Sequence, residues 1–353
     1  MESAGVSTSV GLTVFERVAK SVHIPYIVLC AVFAVLLGPP AQFVAIFIDT
    51  GSLDAAFKLT FLTGYSSFSV VTTSVESGVA AQTIFTLSTF TVMYMPKFVR
   101  TKVEEYEAEL TALAPDGPRT LRKVFGGISS LKPMLVVSAV LGLASVEYVY
   151  SLLGLATGPL MEIYVAVSNT VVSVVFGVFV WVYFRTLWGL YRLGKEDLKL
   201  TSAEVDPMLG VRPIGSISFT LFISYTAVIL FVGAVVVIIA DPFSIAAVLV
   251  LEVVGAIMLF LPLNSVHKMM LAGKRQERRR IAEGLARVSG PAGDADSLLR
   301  DIKEVQMLQL RRDMVSAVPT WPFDTGVLGR FTAIVLSVVA ILLSRIISGT
   351  LHI

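Results

Sequence analysis

Residues 243–288 read FSIAAVLVLEVVGAIMLFLPLNSVHKMMLAGKRQERRRIAEGLARV. The first part, Phe243 to Leu263, is apolar but for Ser244 and Glu252, and the part from Asn264 onward is crowded with lysine and arginine. A bilayer core about 30 Å thick is crossed by about 20 residues of helix at 1.5 Å each. Phe243–Leu263 therefore has the length and character of a membrane span. The basic stretch marks where that helix leaves lipid for the cytoplasm, because Lys and Arg accumulate on that side.

Six further apolar runs share this character: Ile24–Ile48, about Ser77–Met95, Pro133–Leu153, Ile163–Phe184, Ile214–Ala240 and Val327–Ile347. Seven runs explain a chain of 353 residues that is 55% hydrophobic and only 15% charged. Soluble domains carry about 25% charged residues, and disorder requires low hydrophobicity with high net charge. The expected fold is therefore all-α: a polytopic, multi-pass cell-membrane protein with seven transmembrane helices. The bilayer is its first partner.

Charge sets the direction of the spans. Of 28 Lys and Arg, 26 lie in the N-terminal segment, in the three long connections 97–132, 185–213 and 264–326, or at Arg330. Only Lys58 and Arg345 lie elsewhere. The positive-inside rule places those segments in the cytoplasm. The expected topology has the N-terminus cytoplasmic and the C-terminus outside, the reverse of rhodopsin-like receptors. Residues 1–263 hold transmembrane helices 1 to 6, residues 264–323 a cytoplasmic helical hairpin, and residues 324–353 transmembrane helix 7. The outer loops and spans hold Asp49, Asp54, Glu76, Glu147, Glu162, Asp241 and Glu252 against Lys58 and Arg345. An acidic outer face concentrates cations, although positive-inside bias alone also leaves that face acidic.

The hairpin is read from two helical patterns. One continues span six through His267-Lys268, Lys274-Arg275 and Arg278-Arg279-Arg280. The breakers Ser289-Gly-Pro-Ala-Gly-Asp end it. Asp296 or Ser297 caps the return helix, whose apolar residues include Leu298, Leu299, Ile302 and Val305. Such a hairpin either packs on the Glu104–Glu109 region or forms a platform for oligomerisation, and its basic helix can meet anionic lipid headgroups. Val318-Pro-Thr-Trp-Pro-Phe-Asp-Thr-Gly then breaks the chain before span seven. Trp321, Pro322 and Asp324 form the expected hinge: the ring suits the membrane interface and the acid can cap the last helix.

Thr60–Gly78 carries ten hydroxyl side chains in nineteen positions. It reads as an outward extension of span two, as an interfacial helix, or as a re-entrant segment lining a path.

Enzymatic chemistry is not expected. GxSxG, P-loop, HExxH and GxGxxG patterns are absent, and the hydroxyls have no neighbouring histidine in the sequence. The single cysteine, Cys30, excludes an intrachain disulfide, and His23, His267 and His352 have no ligand-spaced partners. No metal, cofactor or nucleic acid is expected.

Charges within spans are the better lead, because they are costly there. Glu252 sits about 15 Å into its span, near the midplane. Glu147 and Arg345 lie in the outer parts of spans three and seven, and Asn169 lies within span four. Together with the hydroxyls Thr332, Ser337 and Ser344 of span seven, these residues form the candidate pore or ligand pocket. Glu252, with Glu147 or Arg345 as partner, lies either on a water-accessible path or ligand pocket in the outer half, or in a structural pair with Arg345 that locks two helices together. Gly142, Gly177, Gly233 and Gly255 read as packing positions.

Seven spans, a cytoplasmic N-terminus, an outer C-terminus and a cytoplasmic helix leading into the last span resemble the gustatory and odorant receptor superfamily of insects. The resemblance covers topology along nearly the whole chain and no motif. The Tyr and Gln-Phe signature of that family's last span is absent from Thr332-Ala-Ile-Val-Leu-Ser-Val-Val-Ala-Ile-Leu-Leu-Ser-Arg. The resemblance implies a homo-oligomeric, tetrameric, ligand-gated cation channel, with the helices below the membrane joining subunits and the last span lining the pore. The Trp321-Pro-Phe-Asp run is also similar to prokaryotic multi-pass membrane proteins without an assigned function. Two other readings stay open: a secondary transporter with an intramembrane acidic site, and a non-transporting sensor or scaffold.

Overall fold

A computed structural model describes residues 11–62, 75–153, 158–202, 206, 208–239, 242–288, 295–322 and 325–351. Every regular element among them is helical. Helix α1 (Val14–Val22) starts in a capping box: the Thr13 backbone N–H and hydroxyl both donate to Glu16 Oε2, at 3.0 and 2.8 Å. It ends at His23 in the left-handed conformation, and Pro25 opens the next helix.

The first apolar run is two helices, α2 (Tyr26–Leu37) and α3 (Pro39–Thr50), broken at Gly38. Two consecutive prolines, Pro39 and Pro40, supply no N–H to bond the preceding turn. Tyr164 donates its hydroxyl to the Leu37 carbonyl at 2.9 Å, tying the break to α9. Gly38 lets the broken helix approach its neighbour, since a Cβ there would lie 2.8 Å from Thr86 Oγ1.

Short α4 (Leu53–Phe57) and a π-helical turn (Lys58–Leu62) follow. Most of the hydroxyl-rich stretch, 63–74, lies outside the described residues. Its last four residues open α5 (Val75–Glu105) and so extend the second apolar run. The connection after α5 folds into α6 (Glu107–Leu113) and α7 (Pro118–Phe125). Then α8 (Leu131–Leu153) and α9 (Pro159–Leu193) pack side by side. Gly177 makes this possible: a Cβ would come within 2.5 Å of Ser138 Cα. Ser138 Oγ donates to Val174 O across the same contact. The last elements are α10 (Arg212–Ile239), α11 (Pro242–Val288), α12 (Ala295–Ala317) and α13 (Thr325–Leu351).

Among the described residues, four helical segments are long and apolar enough to cross a membrane: Tyr26–Thr50, Pro159–Leu193, Arg212–Phe231 and Val248–Val288. Shorter apolar helices cover Leu131–Leu143 and Gly329–Ala340. The outer surface of α8 carries Leu135, Val136, Val140 and Leu143, all exposed, and α11 carries Val250, Val253 and Ile257. Bulky aliphatic side chains on the outside suit lipid as solvent.

The largest apolar cluster joins the lower ends of the long helices to the connections between them. It contains Val103, Leu110, Leu121, Phe125, Leu190, Leu209, Phe222, Leu263, Met270 and Val318. The long basic connections are thus packed structure, which their charge content concealed.

As expected, α11 runs without a break from the apolar stretch into the basic one, over 47 residues, about 70 Å at helical rise. Helix α12 returns along it. Arg311 Nη2 meets Glu277 Oε1 at 2.7 Å, and Leu308 packs on Gly284. The turn at 289–294 lies outside the described residues, and the expected cap at Asp296 or Ser297 falls at the start of α12. The base of the hairpin shares its apolar cluster with residues in and beside the Glu104–Glu109 region. Val103 and Leu110 belong to that cluster, and Gly273 rests on Leu200 and Leu209. A glycine at that point of α11 lets the leucines of the 198–211 segment dock closely.

Candidate functional site

Glu252 is fully buried. Thr226, on α10, donates its hydroxyl to Glu252 Oε1 at 3.1 Å. Glu252 Oε2 is buried and accepts no hydrogen bond among the described residues. The neighbouring Tyr225 donates its hydroxyl to Leu251 O at 2.7 Å, and its ring fills the space beside Gly255, where a Cβ would meet Tyr225 Cε1 at 2.2 Å. Gly255 is therefore a seat for an aromatic ring, as its reading as a packing position anticipated. The Tyr183 ring of α9 lies 5.5 Å from that of Tyr225.

This site is one turn from an apolar contact of three helices, where Ile229 (α10), Val248 (α11) and Val338 (α13) are all buried. A carboxyl group in such surroundings is expensive when ionised and uncompensated. The arrangement can take up a proton at Oε2.

The other expected members distribute as follows. Asn169 Nδ2 donates to Val165 O, one turn back on its own helix, at 2.9 Å. The backbones of Glu147 and Arg345 fall in α8 and α13, while their side chains lie outside the described residues, as does the expected pairing with Glu252. Thr332, Ser337 and Ser344 are exposed on α13, and Ser337 Oγ donates to Ala333 O at 2.8 Å. The three hydroxyls thus share a helix and an outer surface, not the Glu252 pocket.

At the hinge, the Trp321 ring stacks on His267 with centroids 4.3 Å apart and meets Phe260 edge-on at 5.6 Å. Pro322 is buried, and Asp324 lies outside the described residues. The expected interfacial ring is therefore half-buried against α11, where it ties the start of the last segment to the hairpin.

Among the described residues, no three His, Cys, Asp or Glu side chains gather to hold a metal ion. No family model, curated protein or solved structure matches this chain. Function must be argued from geometry.

Sequence reading missed several polar contacts. Asp49 accepts from the backbone N–H groups of Leu160 at 3.1 Å and Met161 at 2.8 Å, capping α9 from α3. Gly158 leaves room for it, since a Cβ there would lie 2.5 Å from Asp49 Cγ. Gln82 Nε2 donates to Gln42 Oε1 between α5 and α3. Arg100 joins α5 to α1 through Glu16 and also pairs with Glu104. Only the Thr13-Val-Phe-Glu16 capping pattern was visible in the sequence as a local signal. The long-range contacts carry none.

Proposed function

We propose that this chain is a subunit of a homo-oligomeric, cation-preferring ion channel in a cell membrane. In this reading seven helices cross the bilayer, the N-terminus and the α11–α12 hairpin are cytoplasmic, and the C-terminus is outside. Helices α5, α8 and α13 add three apolar runs to the four segments already long and apolar enough to span. The charge distribution supports the orientation.

The observation that carries the proposal is the outward face of α13. Gly329, Ala333, Ser337, Ala340 and Ser344 are all exposed and follow one another at intervals of three or four residues, with Thr332 and one large apolar side chain, Leu336, beside them. A Cβ added at Gly329 would meet nothing within 4 Å. The outward faces of α8 and α11 are instead built of Val, Leu and Ile. A face of small and hydroxyl side chains gives lipid little to pack on, whereas it admits close approach of another helix or lines a wet path. Several copies placed with α13 inward would surround a hydroxyl-lined pore.

One observation favours a second reading. Glu252, with one oxygen that accepts no hydrogen bond among the described residues, suits a transporter that couples movement of its cargo to a proton or cation. Flux through the full chain reconstituted in liposomes separates these readings. A channel gives cation conductance linear in driving force, in particles containing several copies. A transporter gives saturable flux driven by a proton or cation gradient. A tight membrane under all gradients and voltages, with a monomer in mild detergent, overturns both and leaves a sensor or scaffold.

A further inference from the structure

Below the apolar part of α11, the hairpin, residues 200–202 and Leu209 line an open cavity of about 250 Å³. Leu200 and Val318 line its apolar side. Among the described residues, Lys274, Arg280 and Arg311 line the polar side with one carboxylate, Glu277, and the hydroxyl residues Thr201 and Ser202. Three cations against one acid leave an excess of positive charge where two helices and a loop converge.

The cluster is ordered by its own contacts. Glu277 lies between the two guanidinium groups, with Oε1 2.7 Å from Arg311 Nη2 and Oε2 3.6 Å from Arg280 Nη1. Lys274 Nζ donates to the carbonyls of Ser316 at 2.8 Å and Val318 at 2.6 Å, where α12 ends. An ammonium has three protons, so one remains for a ligand. Guanidinium forks match the oxygens of a phosphate group, and their charge-assisted bonds are stronger than neutral ones.

We propose that this cavity binds a small, soluble phosphate ester. The volume suits a small ligand, since pockets for drug-sized molecules begin at about 300 Å³. Depth separates the two sources of phosphate. Lys274 lies eleven residues beyond Leu263 along α11, about 16 Å at helical rise, and Arg280 lies about 26 Å beyond it. The headgroup layer adds only about 5–8 Å to each side of the hydrocarbon core. With Leu263 at the edge of the apolar stretch, the cavity lies below the headgroups. This placement rests on the membrane reading of α11 and not on channel activity.

A bound phosphate would bridge α11, α12 and the segment leading into α10. Val318, at the cavity wall, begins the connection to α13, so occupancy would bear on the last helix.

The test uses the full chain purified in neutral detergent, with thermal unfolding followed during titration. The probes are glycerol 3-phosphate and inorganic phosphate, against sodium chloride at matched ionic strength. A second arm places the protein in phosphatidylcholine nanodiscs with and without phosphatidic acid. The expected result is a saturable rise in melting temperature with glycerol 3-phosphate that chloride does not give. Arg280→Ala should weaken the apparent affinity about tenfold or more, since a bond to a charged group contributes about 1.5–3 kcal/mol and tenfold corresponds to about 1.4. Arg280 is largely exposed and its nearest acid is at 3.6 Å, so its removal should leave the fold intact. Lys123→Ala, at an exposed lysine away from the cavity, should bind as the parent does.

No saturable shift, or one that Arg280→Ala leaves unchanged, overturns the proposal. A shift with phosphatidic acid alone overturns the soluble-ligand assignment in favour of a lipid headgroup. None of these outcomes depends on flux, so failure here and failure of the channel reading are read separately.

Discussion

The guanidinium of Arg100 grips the carboxylate of Glu16 with two hydrogen bonds, Nε to Oε2 and Nη2 to Oε1, each 2.8 Å. Both side chains are nearly buried, and the residues are 84 positions apart. The same carboxylate closes the capping box of α1. One acid therefore starts a nine-residue amphipathic helix and fastens it to α5. A helix this short would not hold in water alone, since isolated helices need about 12–15 residues.

Removal of Glu16 should therefore undo two things at once. Breaking a buried pair by deleting one partner costs about 3–5 kcal/mol. Glu104 still pairs with Arg100 in Glu16→Ala, so a loss near the lower end, about 3 kcal/mol, is expected. Arg100→Ala leaves Glu16 and Glu104 together without their shared cation and should cost more. Denaturant unfolding of the two variants in one detergent checks the order. Equal losses would contradict it.

Asp49 caps a helix that has only Gly158 at its own start. Asp49→Ala removes the acceptor for two backbone N–H groups and should cost about 1–2 kcal/mol. Asp49→Asn keeps an acceptor oxygen and should cost less. Hydrogen exchange should rise first at Leu160 and Met161, because the cap is their partner. Faster exchange spread evenly over the chain would point to global destabilisation instead.

Glu252→Gln keeps the shape of the side chain and an oxygen for the Thr226 hydroxyl. The fold should survive with a stability change within about 1 kcal/mol, the size of one neutral hydrogen bond. Flux that uses this carboxyl for a proton or cation should lose its dependence on that ion. Unchanged flux at every pH would give Glu252 a structural role only.

The fold was legible in the sequence where the solvent is lipid. Apolar runs of spanning length located α2 with α3, α9, α10 and α11, and the Pro-Gly-rich breaks before and after α12 outlined the hairpin. Two features escaped. The basic connection after α5 was read only by its charge, but Leu110, Leu113, Leu121 and Phe125 are among its most buried residues. Their spacing is too brief, over α6 and α7, to stand out among charges. Helix α1 escaped for the same reason. Of the candidate site, Glu252 was legible because an acid interrupts an apolar run. Thr226, Tyr225 and the seat at Gly255 were not, because pairing between helices about 26 residues apart leaves no local pattern.

Helix α11 carries Pro262 within it, between Glu252 and the basic arm. Glu252 lies ten residues before the proline and Val288 twenty-six after it, or about 15 Å and about 39 Å along the axis. The helix then has the proportions of a lever with unequal arms. A rigid tilt about Pro262 that shifts Glu252 by 1 Å displaces the hairpin tip by about 2.6 Å, the ratio of the arms at helical rise. Van der Waals-scale events around Glu252 would reach the far end of the hairpin mechanically amplified.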